Sequence, residues 1–224
     1  MGGSTGCWVR DFLRSSIGKK GVMATTGLML FGFVVVHLLG NLQVFLPDKH
    51  ALTEYGHMIK SKPLVLWGAR LGLLVIVLLH VATAIRLALE NKAARPVKYQ
   101  VRRWREADYA ARTMMVSGPL ILIYAVYHLL HFTTGHAHSN FNPDDVYANV
   151  VTAFQNKAVS LVYIVAMLML AQHLSHGLWS MCQTFGVNHP KYTPTLRFAS
   201  IAIASAIAVG YISIPVSVML GILK

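Results

Sequence analysis

The chain has 224 residues, 55% of them hydrophobic and only 12% charged, too apolar for an ordinary soluble domain and balanced like one polytopic membrane domain. Its formal charge of +12 comes with no nucleic-acid-binding motif, so nucleic acid is not an expected partner and the surplus reads mostly as membrane orientation. Two cysteines, Cys7 and Cys182, in no CxxC or CxxCH pattern give no ground for a disulfide framework, a zinc site or covalent haem, and both read as small buried hydrophobes.

From the N-terminus, Arg10, Arg14, Lys19 and Lys20 precede an apolar stretch too long for a signal-peptide core and without a small-residue cleavage site, so the segment is expected to stay in the membrane. Runs of about 20 apolar residues cross a hydrocarbon core of about 30 Å. Five such spans are predicted, at 22–46, 64–89, 113–133, 157–182 and 197–222, an all-α fold in which four helices form a bundle. The first connection carries Lys49, Glu54, His57 and Lys60, with Asn41 and Gln43 just before it at the end of span 1. The second holds Lys92, Arg95, Lys98, Arg102, Arg103, Arg105 and Arg112, whereas the third has Asp144 and Asp145 before Lys157. The positive-inside rule then sets the N-terminus and the second connection on the cytoplasmic side and the C-terminus outside. A basic cytoplasmic face also suits anionic membrane lipid or an acidic partner.

Of eleven histidines, His50, His57, His136, His138 and His189 fall in loops or at interfaces. The other six lie within spans, where an unpartnered imidazole is costly. His37, His80, His128 and His173 each come about 15 residues into spans 1 to 4, or about 22 Å along a helix. Since successive spans run in opposite directions, His37 and His128 fall toward the outer face and His80 and His173 toward the inner face. The two layers are expected about 11 Å apart for helices of about 33 Å. Two histidines per layer, on different helices, suit bis-histidine ligation of two b-type haems stacked across a four-helix bundle. A hydrogen bond to a neighbouring helix, or a proton path, explains one such histidine as well, but four at matched depth less well.

His131 and His176 follow their neighbours by three residues on nearly the same helix face. Either can replace His128 or His173 as ligand, the remaining one then contacting a haem propionate or quinone. Gly32 and Gly40 in span 1, Gly72 and Ala84 in span 2 and Gly177 in span 4 leave room for a flat macrocycle, or serve ordinary helix packing. Arg70 and Arg86 flank His80 and can pair with propionates, with snorkelling to headgroups the alternative for Arg86.

The stretch "HLSHGLWSMCQTFGVNHPKYTP" at 173–194 closely resembles the helix-to-loop signature of the dihaem cytochrome b membrane-anchor subunit of succinate:quinone and fumarate reductases. The segments "VHLLGNLQVF" (36–45), "LWGARLGLLVIVLLH" (66–80) and "NKAARPVKY" (91–99) resemble the same family in the same order, and together they cover most of the chain. The run His173-x-x-x-Gly177-x-Trp179-Ser180 carries most of the specificity. The resemblance implies that 1–224 form one cytochrome b domain in a bacterial cytoplasmic membrane, with His173 an axial ligand beside His37, His80 and His128. It implies partners on the cytoplasmic face, a flavoprotein bearing covalent FAD and an iron–sulfur subunit, and leaves a higher oligomer of the complex open. Electrons would enter at the inner haem, pass to the outer haem and exchange with quinone, menaquinone in the first place. This chain has no Rossmann glycine motif or cluster-forming cysteines and cannot itself oxidise succinate.

In the resembled family a glutamate in the region of the first outer loop handles the proton released from menaquinol. Glu54 is the candidate here, with Asn41 and Gln43 as quinone contacts. A solvated carboxylate beside Lys49 or Lys60 is the plainer reading of Glu54. The inner-face alternative is Arg86, His176 and the Trp179 to Gln183 segment. The loop from Lys92 to Arg112 is expected to help dock the iron–sulfur partner, or to record topology alone. Two other classes remain. One is a dihaem subunit of a hydrogenase, formate dehydrogenase or heterodisulfide reductase, which lacks the span 4 signature. The other is a transporter or proton channel that uses histidines without haem.

Overall fold

The computed structural model describes residues 5–94 and 109–224, the side chains of Thr5 to Cys7, Val9 and residues 109–112 excepted. Its elements in chain order are α1 (Thr5–Arg14), α2 (Ser16–Asn41) with a 3-10 turn over Leu42–Phe45, α3 (Ala51–Lys60), α4 (Pro63–Ala93), α5 (Tyr109–Phe132), α6 (Val146–Gln155), α7 (Lys157–Thr184) and α8 (Thr193–Met219). Among the described residues, five stretches are long and apolar enough to cross a membrane: Ser16–Phe45, Pro63–Ala93, Thr113–Phe132, Lys157–Thr184 and Thr193–Met219. They are the five expected spans, and the chain is a multi-pass membrane protein.

The helix ends have local causes. Extended Ser15 accepts from the Gly18 backbone N–H at 3.0 Å, starting α2 earlier than its apolar run. Asp145 caps α6 through the Ala148 N–H, and Asn156 caps α7 through Ala158 and Val159. Pro63 opens α4, where its missing N–H leaves no helical bond unmade. Lys19, read from sequence as an orientation charge, pairs with Glu90 and ties α2 to α4 near the α1 end. Of the second basic connection, Arg95, Lys98, Arg102, Arg103 and Arg105 lie outside the described residues, as do the side chains of Cys7 and Arg112.

α2 packs on α4, α7 and α8, and α7 packs on α5 and most extensively on α8. The buried face of α8 includes Ser200, Ala204 and Ala208, small side chains that let helices approach where lipid gives no hydrophobic drive. Large apolar residues such as Leu64, Leu78, Ile123 and Leu161 stay exposed along the spans, as lipid-facing positions do.

The first and third connections each contain a ten-residue helix that the sequence reading left as loop. α3 and α6 dock on one another at one end of the bundle. Thr53 Oγ1 donates to Asp145 at 3.2 Å and accepts from the Tyr147 N–H, His57 Nε2 meets the Asp144 carbonyl at 3.0 Å, and Lys60 donates to the Pro143 carbonyl. Beneath them lies a buried apolar cluster that includes Val44, Leu52, Val150, Phe154, Tyr163 and Ile214. Gly40 belongs to this cap rather than to a macrocycle slot, because a Cβ there would stand 2.8 Å from the Tyr55 ring of α3.

After α5 the chain turns at Gly135, whose φ is +76° and whose Cβ would meet Phe141 at 2.3 Å. Gly135→Ala combines a left-handed backbone with an overpacked ring, and is expected to cost about 2 kcal/mol or more. A lower melting temperature in detergent measures it. Gly186→Ala, with φ +81° but open space around the Cβ, should lower it less.

Candidate functional site: paired intramembrane histidines

The structure brings four of the six intramembrane histidines together in twos. The rings of His37 on α2 and His128 on α5 have centroids 5.8 Å apart and planes at 81°. Those of His80 on α4 and His173 on α7 are 6.5 Å apart at 63°. Among the described residues neither α2 with α5 nor α4 with α7 is a closely packed helix pair, so each histidine pair reaches across the bundle. A metal–imidazole bond is about 2 Å, so two of them with the ring radii beyond set axial imidazole centroids roughly 6 Å apart. Both pairs fit a shared iron in spacing.

Three hydroxyls stand behind these rings. Thr26 Oγ1 on α2 is 3.1 Å from His80 Nδ1 and donates its own proton to the Val22 carbonyl at 2.7 Å. It therefore accepts from His80, whose proton sits on Nδ1 and whose lone pair is on Nε2, the nitrogen free for a metal. Ser117 Oγ on α5, fully buried, lies 3.3 Å from His173 Nδ1. The Tyr163 hydroxyl on α7 lies 3.4 Å from His128 Nδ1. Gly27 and Gly118 sit against His80 and His173, where even a methyl group would be in van der Waals contact with the imidazole. On the α3/α6 side, His37 stacks on Phe33 at 5.3 Å, and Tyr211 of α8 donates to the Val34 carbonyl at 2.7 Å beside it.

Sequence reasoning missed Thr26, Ser117 and Tyr163, although a spacing pointed to two of them. Thr26 precedes His37 by eleven residues, and Ser117 precedes His128 by the same number. Eleven residues are close to three turns, so each pair shares a helix face. One residue of each pair serves the layer nearer the α1 end and the other the layer nearer α3 and α6. Along α2 the layers lie about 16 Å apart, more than the expected 11 Å, because His37 sits deeper in a helix that begins at Ser16.

The remaining candidates take other places. His131, 2% exposed, faces Tyr163 and His138 rather than His37. His176 follows His173 by one turn and is half-buried. Arg70 is exposed with its guanidinium 5.1 Å from the Trp67 ring centroid, and Arg86 is exposed further along α4. At Gly32, Gly72 and Gly177 a Cβ would meet no atom within 4 Å. Asn41 Nδ2 donates to the His37 carbonyl at 2.8 Å, while Gln43 is half-buried in the 3-10 turn. Glu54 is exposed in the first turn of α3, and its carboxylate meets neither Lys49 nor Lys60, which donate to the carbonyls of Lys224 and Pro143. Trp179 is buried under the Arg197 guanidinium, and Gln183 is exposed at the end of α7.

The sequence model of the family described as succinate dehydrogenase/fumarate reductase transmembrane subunit matches residues 89–212, from the end of α4 through most of α8. Comparison with curated proteins and with solved structures gave no match. The matched region includes His128 and His173, one histidine of each facing pair. With more than half its length so matched and five membrane-length helices, the chain belongs to the succinate dehydrogenase/fumarate reductase transmembrane subunits, the membrane anchor of that complex.

Proposed function

We propose that this anchor is a dihaem cytochrome b that carries electrons between an iron–sulfur subunit and membrane quinone, menaquinone in the first place. The observation that carries the reading is the pair of cross-bundle imidazole contacts, His37 with His128 and His80 with His173, at separations suited to axial ligation. Haem, when bound, would supply the one-electron chemistry. The chain's own residues do the rest. Thr26 fixes the His80 tautomer that presents Nε2, Ser117 orients His173, and Gly27 and Gly118 keep the rings close to their supporting helices. Arg70 and Arg86, both exposed on α4, are available to propionates.

The family implies association with the other subunits of the complex, which we take to be an iron–sulfur protein and a flavoprotein bearing FAD. They would dock on the cytoplasmic side of a bacterial membrane, at the α1 end, since the sequence is rich in basic residues before α2 and between α4 and α5. The Lys19–Glu90 ion pair already spends one of those charges within the anchor. The layer His80/His173 is then the inner one and His37/His128 the outer one.

The test is haem quantification on the purified complex, with a reduced-minus-oxidised spectrum. Two non-covalent haems b per anchor chain are expected. One haem, or none, in a complex that retains its flavin overturns the dihaem reading.

A further inference from the structure

Tyr163 stands between two histidines of the same helix. Its hydroxyl lies 3.4 Å from His128 Nδ1 and 2.8 Å from His131 Nδ1, and the residue is 6% exposed. A phenol has one proton to give, so the two contacts differ in direction. With His128 bound through Nε2, its Nδ1 carries a proton and donates to the Tyr163 oxygen. Tyr163 must then donate to His131 Nδ1, which accepts and keeps its own proton on Nε2.

His131 is held for that part. Its ring stacks with Tyr127 at 5.3 Å and with His138 at 5.0 Å. His138 is fixed in turn. Its Nδ1 accepts from the Asn140 N–H at 3.2 Å, so Nε2 carries the proton and donates to the Asn149 carbonyl at 3.0 Å. A buried ring stacked on two neighbours, with Nδ1 committed to a phenol, is poorly placed to swing toward His37.

We propose that Tyr163 and His131 are positioning residues for His128, a one-way hydrogen-bond relay that draws on the Nδ1 proton of the outer ligand and makes its imidazole a stronger donor. The proposal rests on the dihaem reading and deepens it, since it gives His131 a role other than ligand, propionate contact or quinone contact. A more electron-rich axial imidazole favours the oxidised iron, so the relay lowers the outer reduction potential. Among the described residues, no tyrosine hydroxyl is recorded against a ring of the inner pair. His80 and His173 are backed by aliphatic hydroxyls, and Thr26 passes its proton to a carbonyl rather than to a third ring.

The experiment is a potentiometric optical titration of the assembled complex, with the outer component identified as the one that survives His80→Ala. Tyr163→Phe keeps the ring and removes the relay. It should raise the outer midpoint by about two- to tenfold in the reduction equilibrium, tenfold being 59 mV for one electron. His131→Leu should shift it in the same direction, and His131→Gln, whose amide oxygen accepts, should bring it back toward wild type. The inner midpoint should hold in all three. Unshifted or lowered outer potentials in Tyr163→Phe and His131→Leu, with both haems present, overturn the relay alone. Loss of the outer haem in His131→Leu also overturns it, because His131 would then be a ligand. A wild-type complex without two haems overturns the dihaem reading and the relay together.

Discussion

On the dihaem reading proposed above, replacing His80 by alanine is expected to halve the haem b bound to the anchor and to abolish quinone-linked turnover, while the remaining spectrum stays that of the outer haem. The argument is geometric. His80 and His173 face each other at 6.5 Å, and without His80 the Ser117-backed His173 has no partner across the bundle. The outer pair lies about 16 Å further along α2 and α5, draws on Tyr163 and not on Thr26, and should keep its geometry. A one-sided imidazole cannot hold a low-spin bis-histidine iron, so the effect is loss of a component rather than a shift. The measurement is haem per flavin with a reduced-minus-oxidised spectrum at low temperature. Loss of only the outer component would refute the pairing, and an unchanged haem content would remove His80 from the ligand set.

The second large effect is expected at Glu54. Quinone chemistry moves protons with electrons, so it needs a titratable group with a path to water, and a positioned base contributes typically about 10²–10⁴-fold. Glu54 is the carboxylate in the first turn of α3, exposed, with its neighbour Tyr55 seated on Gly40 at the end of α2. That contact holds α3 over the end of the helix that carries His37 and Asn41, next to the 3-10 turn that carries Gln43. Glu54→Gln should keep both haem spectra and the dicarboxylate activity measured with an artificial dye, yet lose at least tenfold in quinone-linked turnover. Wild-type quinone turnover in that variant would move the search to the other face, to Arg86, His176 and the segment from Trp179 to Gln183. There Trp179 is already held under Arg197.

The spans were legible because each carries about 20 apolar residues, a length that only a membrane crossing explains well. The facing histidines were legible in outline for a related reason. Matched depth in alternating helices brings residues to common layers whatever the helix rotation, and the rotation then had to be right for rings to meet. α3 and α6 were not legible, since ten amphipathic residues between spans look like loop, and their pairing depends on Thr53 and Asp145, which are ninety-two positions apart. Thr26, Ser117 and Tyr163 escaped notice for another reason. A serine or threonine inside a span usually satisfies itself on a carbonyl one turn back, as Thr26 also does, so its second contact leaves no mark on the sequence. Lys19, read as a topology charge, also joins two helices through Glu90, a contact between residues seventy-one positions apart that the sequence does not mark.

The eleven-residue spacing on α2 and α5 also bears on how such a chain can change over time. Each residue added to a helix turns everything beyond it by about 100°. An insertion or deletion of one residue between Thr26 and His37, or between Ser117 and His128, would leave one layer in place and rotate the other out of the bundle. Point substitutions in these two intervals alter a side chain, whereas a change of length breaks the phase between the layers. The intervals 26–37 and 117–128 should therefore tolerate many replacements and no change in length, while the turn beyond α7, where Gly186 has open space around it, should absorb insertions more readily. A library of single-residue insertions along α2 and α5, scored by the absorbance of each haem, would draw that boundary residue by residue.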